Sequence, residues 1–170
     1  MSPKSPARRS PVLAAAAVTM TLLPAPADPA SRTYALASVH AATLERAREG
    51  AALKLEQPGC RQVLEDFRDE AGRTLAENLA RWDRTPADYL RMIPFLDGSS
   101  HPLCRGGRAE LFAEMGTPRV FVCHSFAEKQ VRDPWTAENM VIHEMLHTLG
   151  LGENPPSSRE IIRRVNDRCQ

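Results

Sequence analysis

The feature that most constrains the fold is an uncharged segment near the end of the chain that carries three chemically active side chains. Residues 141–150 read VIHEMLHTLG, and every residue here other than His143, Glu144 and His147 is uncharged. Burying such a segment is costly unless its polar groups have partners or a purpose. We therefore expect the chain to pack around this segment and to use its three polar groups together.

The spacing of the two histidines predicts a metal site. His143 and His147 are four residues apart, so on a helix both imidazoles project from one face and can share one ion. Two neutral imidazoles suit Zn²⁺, with Zn–N distances near ~2.0–2.1 Å. Glu144 adjoins the first ligand, where it can take a proton from water whose pKa zinc lowers to about 7. The pattern predicts one Zn²⁺ per chain and Glu144 as the catalytic base.

These residues carry a resemblance to a known family. The string HEMLHTLGLGE at 143–153 resembles the HExxH zincin metallopeptidases and is similar to the HExxHxxGxxH pattern of the metzincins. Gly150 stands where that family ends its active-site helix, and Glu153 stands at its third ligand. No Met follows Met145, so the metzincin Met-turn is absent and the zincin class is the better match. The string also resembles one in small exported bacterial proteins of peptidase type.

The third metal ligand has several candidates in the sequence. The resemblance implies Glu153, and a carboxylate is a legitimate partner for two histidines in a zinc site. Glu160, on a later predicted helix, is a rival because zincins of the gluzincin kind take a Glu from such a helix. Asp167 lies two turns further on, and His124 and His101 are weaker candidates that are better explained as polar loop residues.

The N-terminal region has the pattern of a secretory signal peptide. Lys4, Arg8 and Arg9 precede an uncharged run over 12–23, and an A-x-A cleavage motif follows at 25–27. The run is too short to cross a bilayer comfortably, although an uncleaved membrane anchor is the alternative. We expect a signal peptide over 1–27, a mobile segment over 28–35 and a zincin-like domain over 36–170.

The charge of the expected mature chain excludes some partners. Cleavage after Ala27 leaves 19 basic and 21 acidic residues, a net charge of −2. A near-neutral surface lacks the basic patch that nucleic acids or anionic membranes require. The partner expected is a peptide or protein substrate, with no nucleic acid and no stable membrane anchor after cleavage; the oligomeric state stays open.

Four cysteines bear on the compartment. An even number of cysteines in an exported chain favours two disulfides, and no pair has the C-x-x-C spacing of a zinc site. Three pairings are possible, and the sequence does not choose among them. The four residues are Cys60, Cys104, Cys123 and Cys169.

The remaining patterns predict an α+β domain, mostly helical with a small sheet and an active-site helix. Helix-forming composition or apolar spacing predicts long helices, and β-rich or turn-bounded runs predict strands. Val120–Val122 is the best strand, either a plain core strand or an edge strand that binds extended substrate, as in zincins. Helices are predicted over 36–55, 60–82, 108–115, 135–149 and 158–169, and strands over 89–96 and 119–123.

Together these patterns favour zinc-dependent hydrolysis of peptide bonds outside the cytoplasm, in the periplasm or the medium. Zinc and Glu144 would activate the attacking water. The alternative is a non-catalytic exported protein with a zincin-like fold, which binds metal or a partner and keeps the site for stability.

Overall fold

The computed structural model describes residues 38–170, and these form an α+β fold that is mostly helical with one small sheet. The predicted signal peptide over 1–27 and the segment over 28–35 lie outside the described residues. The elements in chain order are α1 Ser38–Leu55, α2 Pro58–Arg61, α3 Val63–Asp66, α4 Leu75–Ala80, α5 Pro86–Met92, β1 Phe95–Asp97, α6 Pro102–Arg105, β2 Leu111–Ala113, β3 Val120–Val122, α7 Phe126–Arg132, α8 Pro134–Thr148 and α9 Ser158–Arg168.

Helix α8 lies at the centre of the fold and begins and ends where its sequence predicts. The carboxylate of Asp133 accepts the N–H of Thr136 at 3.1 Å, and Pro134 occupies the first helical position. Gly150 follows the helix with φ +102°, a conformation that favours glycine. The helix packs against α1, α7, α9, β2 and β3, so its uncharged residues form much of the core.

The sheet has the strand order β1–β3–β2, with β1 and β3 parallel and β2 and β3 antiparallel. The predicted strand over 119–123 is therefore present as β3 and lies in the middle of the sheet, which makes it a core strand rather than the edge. The helix predicted over 108–115 is wrong. Leu111 there pairs with Val122, so this stretch forms the edge strand β2.

The single helix predicted over 60–82 is also wrong, because a tight turn divides it. The side chain of Asp69 accepts the N–H groups of Ala71 and Arg73, each at 2.9 Å, and this competes with helical hydrogen bonding. Thr74 and Glu77 then form a capping box that restarts the chain as α4.

Two disulfides join distant parts of the chain, which is typical of proteins from an oxidising environment. Cys60 pairs with Cys169 and ties α2 to the end of α9, where Arg168 also contacts Asp66 at 2.8 Å. Cys104 pairs with Cys123 and ties α6 to the end of β3. Within 38–170 no helix is long and apolar enough to cross a membrane.

The two disulfides should contribute unequally to stability. The Cys60–Cys169 bond links residues 109 apart, and the Cys104–Cys123 bond links residues 19 apart. Loop-closure entropy predicts that the free energy of unfolding falls by about 4–5 kcal/mol when the first bond is removed and by about 3 kcal/mol when the second is removed. Urea denaturation of the two double-alanine variants measures this difference. Equal losses, or a larger loss for the shorter loop, would contradict it.

Candidate metal centre

Two histidines on one face of α8 form the first part of the site. His143 and His147 are buried, and their ring centroids are 4.7 Å apart. Their Nε2 atoms approach to 2.9 Å, so both rings direct the same nitrogen toward one point. This is the arrangement that the i, i+4 spacing predicts.

The chain reverses direction just after the helix, and this reversal orients His147. The positive φ of Gly150 turns the backbone back along α8, so that the carbonyl of Leu151 lies 2.7 Å from Nδ1 of His147. A carbonyl can only accept, so Nδ1 carries the proton and donates it. The Nε2 atom of a neutral ring then has its lone pair free toward His143.

The same reversal brings a carboxylate to the two imidazoles. Oε1 of Glu153 lies 3.5 Å from Nε2 of His143 and 3.4 Å from Nε2 of His147. A point about 2 Å from all three atoms exists inside this triangle, comparable with ~2.0–2.2 Å metal–ligand bonds. His143, His147 and Glu153 therefore form a group that could hold a metal ion, with the histidines buried and the carboxylate partly exposed.

Burial keeps His143 in the form that ligates metals. Desolvation, followed by the proximity of His147, lowers the pKa of His143 to about 4, although the Glu153 carboxylate acts in the opposite direction. The ring is thus neutral at neutral pH, and a neutral imidazole is the ligating form. Its Nδ1 atom is buried and has no hydrogen-bond partner among the described residues.

Glu144 is buried beside the group but does not belong to it. Burial raises the pKa of the Glu144 carboxyl to about 8; the N–H of Ala113, which donates to it, lowers the pKa, and the charge of Glu153 raises it. Ala113 is the last residue of β2, so the sheet supplies the backbone contact of this carboxyl. A carboxyl whose pKa lies near neutrality is suited to both accepting and returning a proton.

A polar side chain from another part of the fold supports the end of α8. Nδ2 of Asn78 donates to the carbonyl of Leu149 at 2.9 Å and to the carboxylate of Asp69 at 2.9 Å. The N–H of Gly116 donates to the carbonyl of His147, also at 2.9 Å. Helix ends leave carbonyls without partners. The Asn78 amide satisfies that of Leu149, and the His147 carbonyl accepts from Gly116 as well as from Gly150.

The group opens into a cleft of about 460 Å³ between β2, α8 and the residues that follow α8. On one side β2 is an edge strand, and the N–H of Ala113 points away from β3 toward Glu144. Because the backbone alternates along a strand, the N–H and carbonyl of Leu111 point to the same side. The cleft thus has a strand edge along one wall and the three-residue group on its floor.

Other predicted ligands lie elsewhere. Glu160 is exposed in the first turn of α9 and does not join the group. His101 caps α6 through Nδ1, and His124 contacts the ring of His40, so both have local roles. Asp167 is exposed on α9. Spacing alone left the choice between Glu153 and Glu160 open, and the three-dimensional arrangement brings only Glu153 to the histidines.

No protein-family model, curated protein or solved structure matches the chain. The function must therefore be inferred from the chemistry of the site itself. That chemistry comprises two imidazole nitrogens, one carboxylate oxygen and, next to them, a buried carboxyl with an elevated pKa.

The pKa of Glu144 predicts a pH-dependent stability difference in the metal-free protein. Burial raises this pKa from its ordinary value of 4.5 to about 8, so the folded protein binds the proton of Glu144 more tightly than the unfolded chain does. The stability that this proton adds to the folded protein is complete below pH 4.5 and is lost as the pH rises to about 8. The variant Glu144→Gln lacks this dependence. Its stability relative to the parent should therefore increase with pH, by an amount on the order of 3 kcal/mol. Urea denaturation of both metal-free proteins at the two ends of this range measures the difference, and a constant difference would refute the prediction.

Proposed function

We propose that this protein is an exported zinc-dependent peptidase of the zincin class. In this proposal His143, His147 and Glu153 hold one zinc ion, and Glu144 is the catalytic base. The observation that carries the proposal is the meeting of three ligand atoms and a separate buried carboxyl in one cleft. A structural metal site has no need of the fourth group, whereas hydrolysis does.

The donor set favours zinc among the common metal ions. Two imidazoles and one carboxylate form the His₂Glu set of catalytic zinc sites, which keep a further position open to water or substrate. The Leu151 carbonyl orients His147 in the manner of the outer-shell partners that accompany such ligands. When bound, zinc supplies a Lewis acid that polarises the scissile carbonyl and makes water easier to deprotonate.

Glu144 supplies the proton chemistry in this proposal. Its carboxylate takes a proton from the attacking water and, once protonated, passes that proton to the leaving amine. The backbone of Ala113 hydrogen-bonds to this carboxyl and partly offsets the rise in its pKa that burial causes. General-base and general-acid roles of this kind contribute on the order of 10²–10⁴-fold to a rate.

The edge of β2 offers a binding site for an extended peptide. The outward N–H and carbonyl of Leu111 would pair with the backbone of a substrate that lies as an added strand. Such pairing places the peptide along the wall that also positions Glu144 through Ala113. This strand edge favours a peptide or protein as the substrate, because its outward N–H and carbonyl groups would pair with a peptide backbone.

Export is supported by two independent features. The signal-peptide pattern over 1–27 predicts translocation, and the two disulfides among the described residues fit an oxidising compartment. The periplasm or the external medium is the compartment that satisfies both.

Metal content is the first test of the proposal. The purified protein should bind about one zinc per chain, as one such site can hold. His143→Ala and His147→Ala should each abolish stoichiometric binding, and Glu153→Ala should weaken it. Elemental analysis together with competition against a zinc chelator measures both effects.

Glu160→Ala is the matched control for Glu153→Ala, because both remove an exposed glutamate and only Glu153 contacts the histidines. It should bind zinc as the parent does. Zinc retained stoichiometrically by the His143→Ala, His147→Ala double variant would contradict the site assignment. A weaker affinity in Glu160→Ala alone would move the third ligand to α9.

Catalysis is the second test. Glu144→Gln keeps the size of the side chain and removes the base, so it should bind zinc like the parent and lose about 10²–10⁴-fold in hydrolysis rate. Hydrolysis of a broad peptide library by zinc-loaded protein is the measurement. Glu160→Gln, the same substitution outside the cleft, should retain the parent rate.

Two results would overturn the catalytic proposal. If Glu144→Gln hydrolyses peptides as fast as the parent, Glu144 is not the base. If the zinc-loaded parent cleaves no peptide in the library, the non-catalytic metal-binding alternative becomes the better description of the protein.

A further inference from the structure

The position of Glu153 depends on the backbone that precedes it. Its side chain is 43% exposed, and within the described residues its carboxylate has no hydrogen-bond or ion-pair partner other than His143 and His147. An exposed glutamate has several rotatable bonds and loses conformational freedom when it is held at one point. The contacts that fix the reversal at Gly150 therefore also determine how well Glu153 can serve as a ligand.

One side chain from another helix binds the first peptide unit of this reversal. Nδ2 of Asn78, on α4, donates to the carbonyl of Leu149, which belongs to the peptide bond that leads into Gly150. The same nitrogen would lie 3.7 Å from a Cβ atom at Gly150, so the amide packs directly against the reversal. Asn78 thus restrains the peptide plane from which the chain turns back toward the histidines.

The two acceptors around Asn78 determine the orientation of its amide. The amide nitrogen has two hydrogens, and the Leu149 carbonyl and the Asp69 carboxylate accept one each at 2.9 Å. A flipped amide would direct its oxygen at these two acceptors and lose both hydrogen bonds. The donor that faces the reversal is therefore fixed on both sides.

This orientation leaves the amide oxygen without a partner. Asn78 is only 8% exposed, and its Oδ1 atom is buried with no hydrogen-bond partner among the described residues. A buried acceptor without a donor lowers the stability of the folded state. Such violations are expected at functional sites, and this one lies beside the segment that carries Glu153.

We propose that Asn78 is a positioning residue for the metal centre. By holding the Leu149 carbonyl it fixes the reversal at Gly150, and the fixed reversal presents Glu153 to the two histidines. The inference rests on the metal-binding part of the proposed function. It adds to the site a residue from α4, which is distant in sequence from the histidine motif.

Replacing Asn78 tests this role through zinc affinity. Asn78→Leu keeps the approximate volume of the side chain and removes both donors, and Asn78→Ala removes them without placing further apolar atoms beside Asp69. Each variant should bind zinc about 10–100-fold more weakly than the parent in competition against a zinc chelator. Asn139→Leu is the matched control, because Asn139 is another buried asparagine with two side-chain hydrogen bonds, in the first half of α8. It should retain the parent affinity.

A double-mutant cycle distinguishes positioning from general destabilisation. Because Asn78 would act through Glu153, Asn78→Leu should weaken zinc binding much less in a Glu153→Ala background than in the parent. An equal loss in both backgrounds, or a loss in Asn139→Leu as large as that in Asn78→Leu, would overturn the proposal. Either result would leave the peptidase proposal standing, since neither concerns hydrolysis by the parent.

Hydrogen exchange in the metal-free protein tests the positioning without substrate. The N–H groups of Gly150 and Leu151 donate to the carbonyls of His147 and Leu146 at 2.9 and 3.2 Å. In Asn78→Leu these two amides should exchange on the order of 10-fold faster relative to amides in the middle of α8. Unchanged relative exchange would overturn the proposal. A parent that binds zinc but cleaves no peptide would overturn the catalytic proposal alone, whereas a parent that binds no zinc would overturn both.

Discussion

The hydrogen bond from Nδ1 of His147 to the carbonyl of Leu151, 2.7 Å long, is the contact on which the site depends. It joins the last turn of α8 to the chain that has reversed at Gly150, and it sets the tautomer that leaves Nε2 free. The same reversal delivers Glu153 to both imidazoles. A backbone carbonyl thus orients one of the site's side chains. The fold holds the position of this carbonyl, whereas a long flexible side chain in its place could adopt several conformations.

The small sheet packs against α8 and contributes a backbone contact to the site. Glu144 is buried, and the N–H of Ala113 is the backbone donor that moderates the rise in its pKa. Ala113 is available for this contact because β2 is at the edge of the sheet, with β3 on its other side. The strands are only three residues long, and β2 packs against α8. The sheet therefore contributes to the polarity of the cleft as well as to the core.

The sequence predicted the elements that depend on local signals, and it failed where distant partners decide the structure. Asp133, Pro134 and Gly150 mark the ends of α8 by local chemistry, and the i, i+4 histidines place both imidazoles on one face. Strand β2 is three residues long and is stabilised by pairing with β3, so its own sequence could also be interpreted as a helix. The contact of Ala113 uses only backbone, and no residue type signals such a role.

The Asn78 amide has a consequence for how substitutions would affect this protein. It joins the turn at Asp69 to the carbonyl of Leu149, and it is the largest cause of the lowered pKa of the Asp69 carboxyl. Asp69 in turn organises the backbone of Ala71 and Arg73, which lie on the outside of the molecule. Mutational sensitivity should therefore extend from the end of α8 to a solvent-facing turn, through an amide that is 71 residues away in sequence from the carbonyl it contacts.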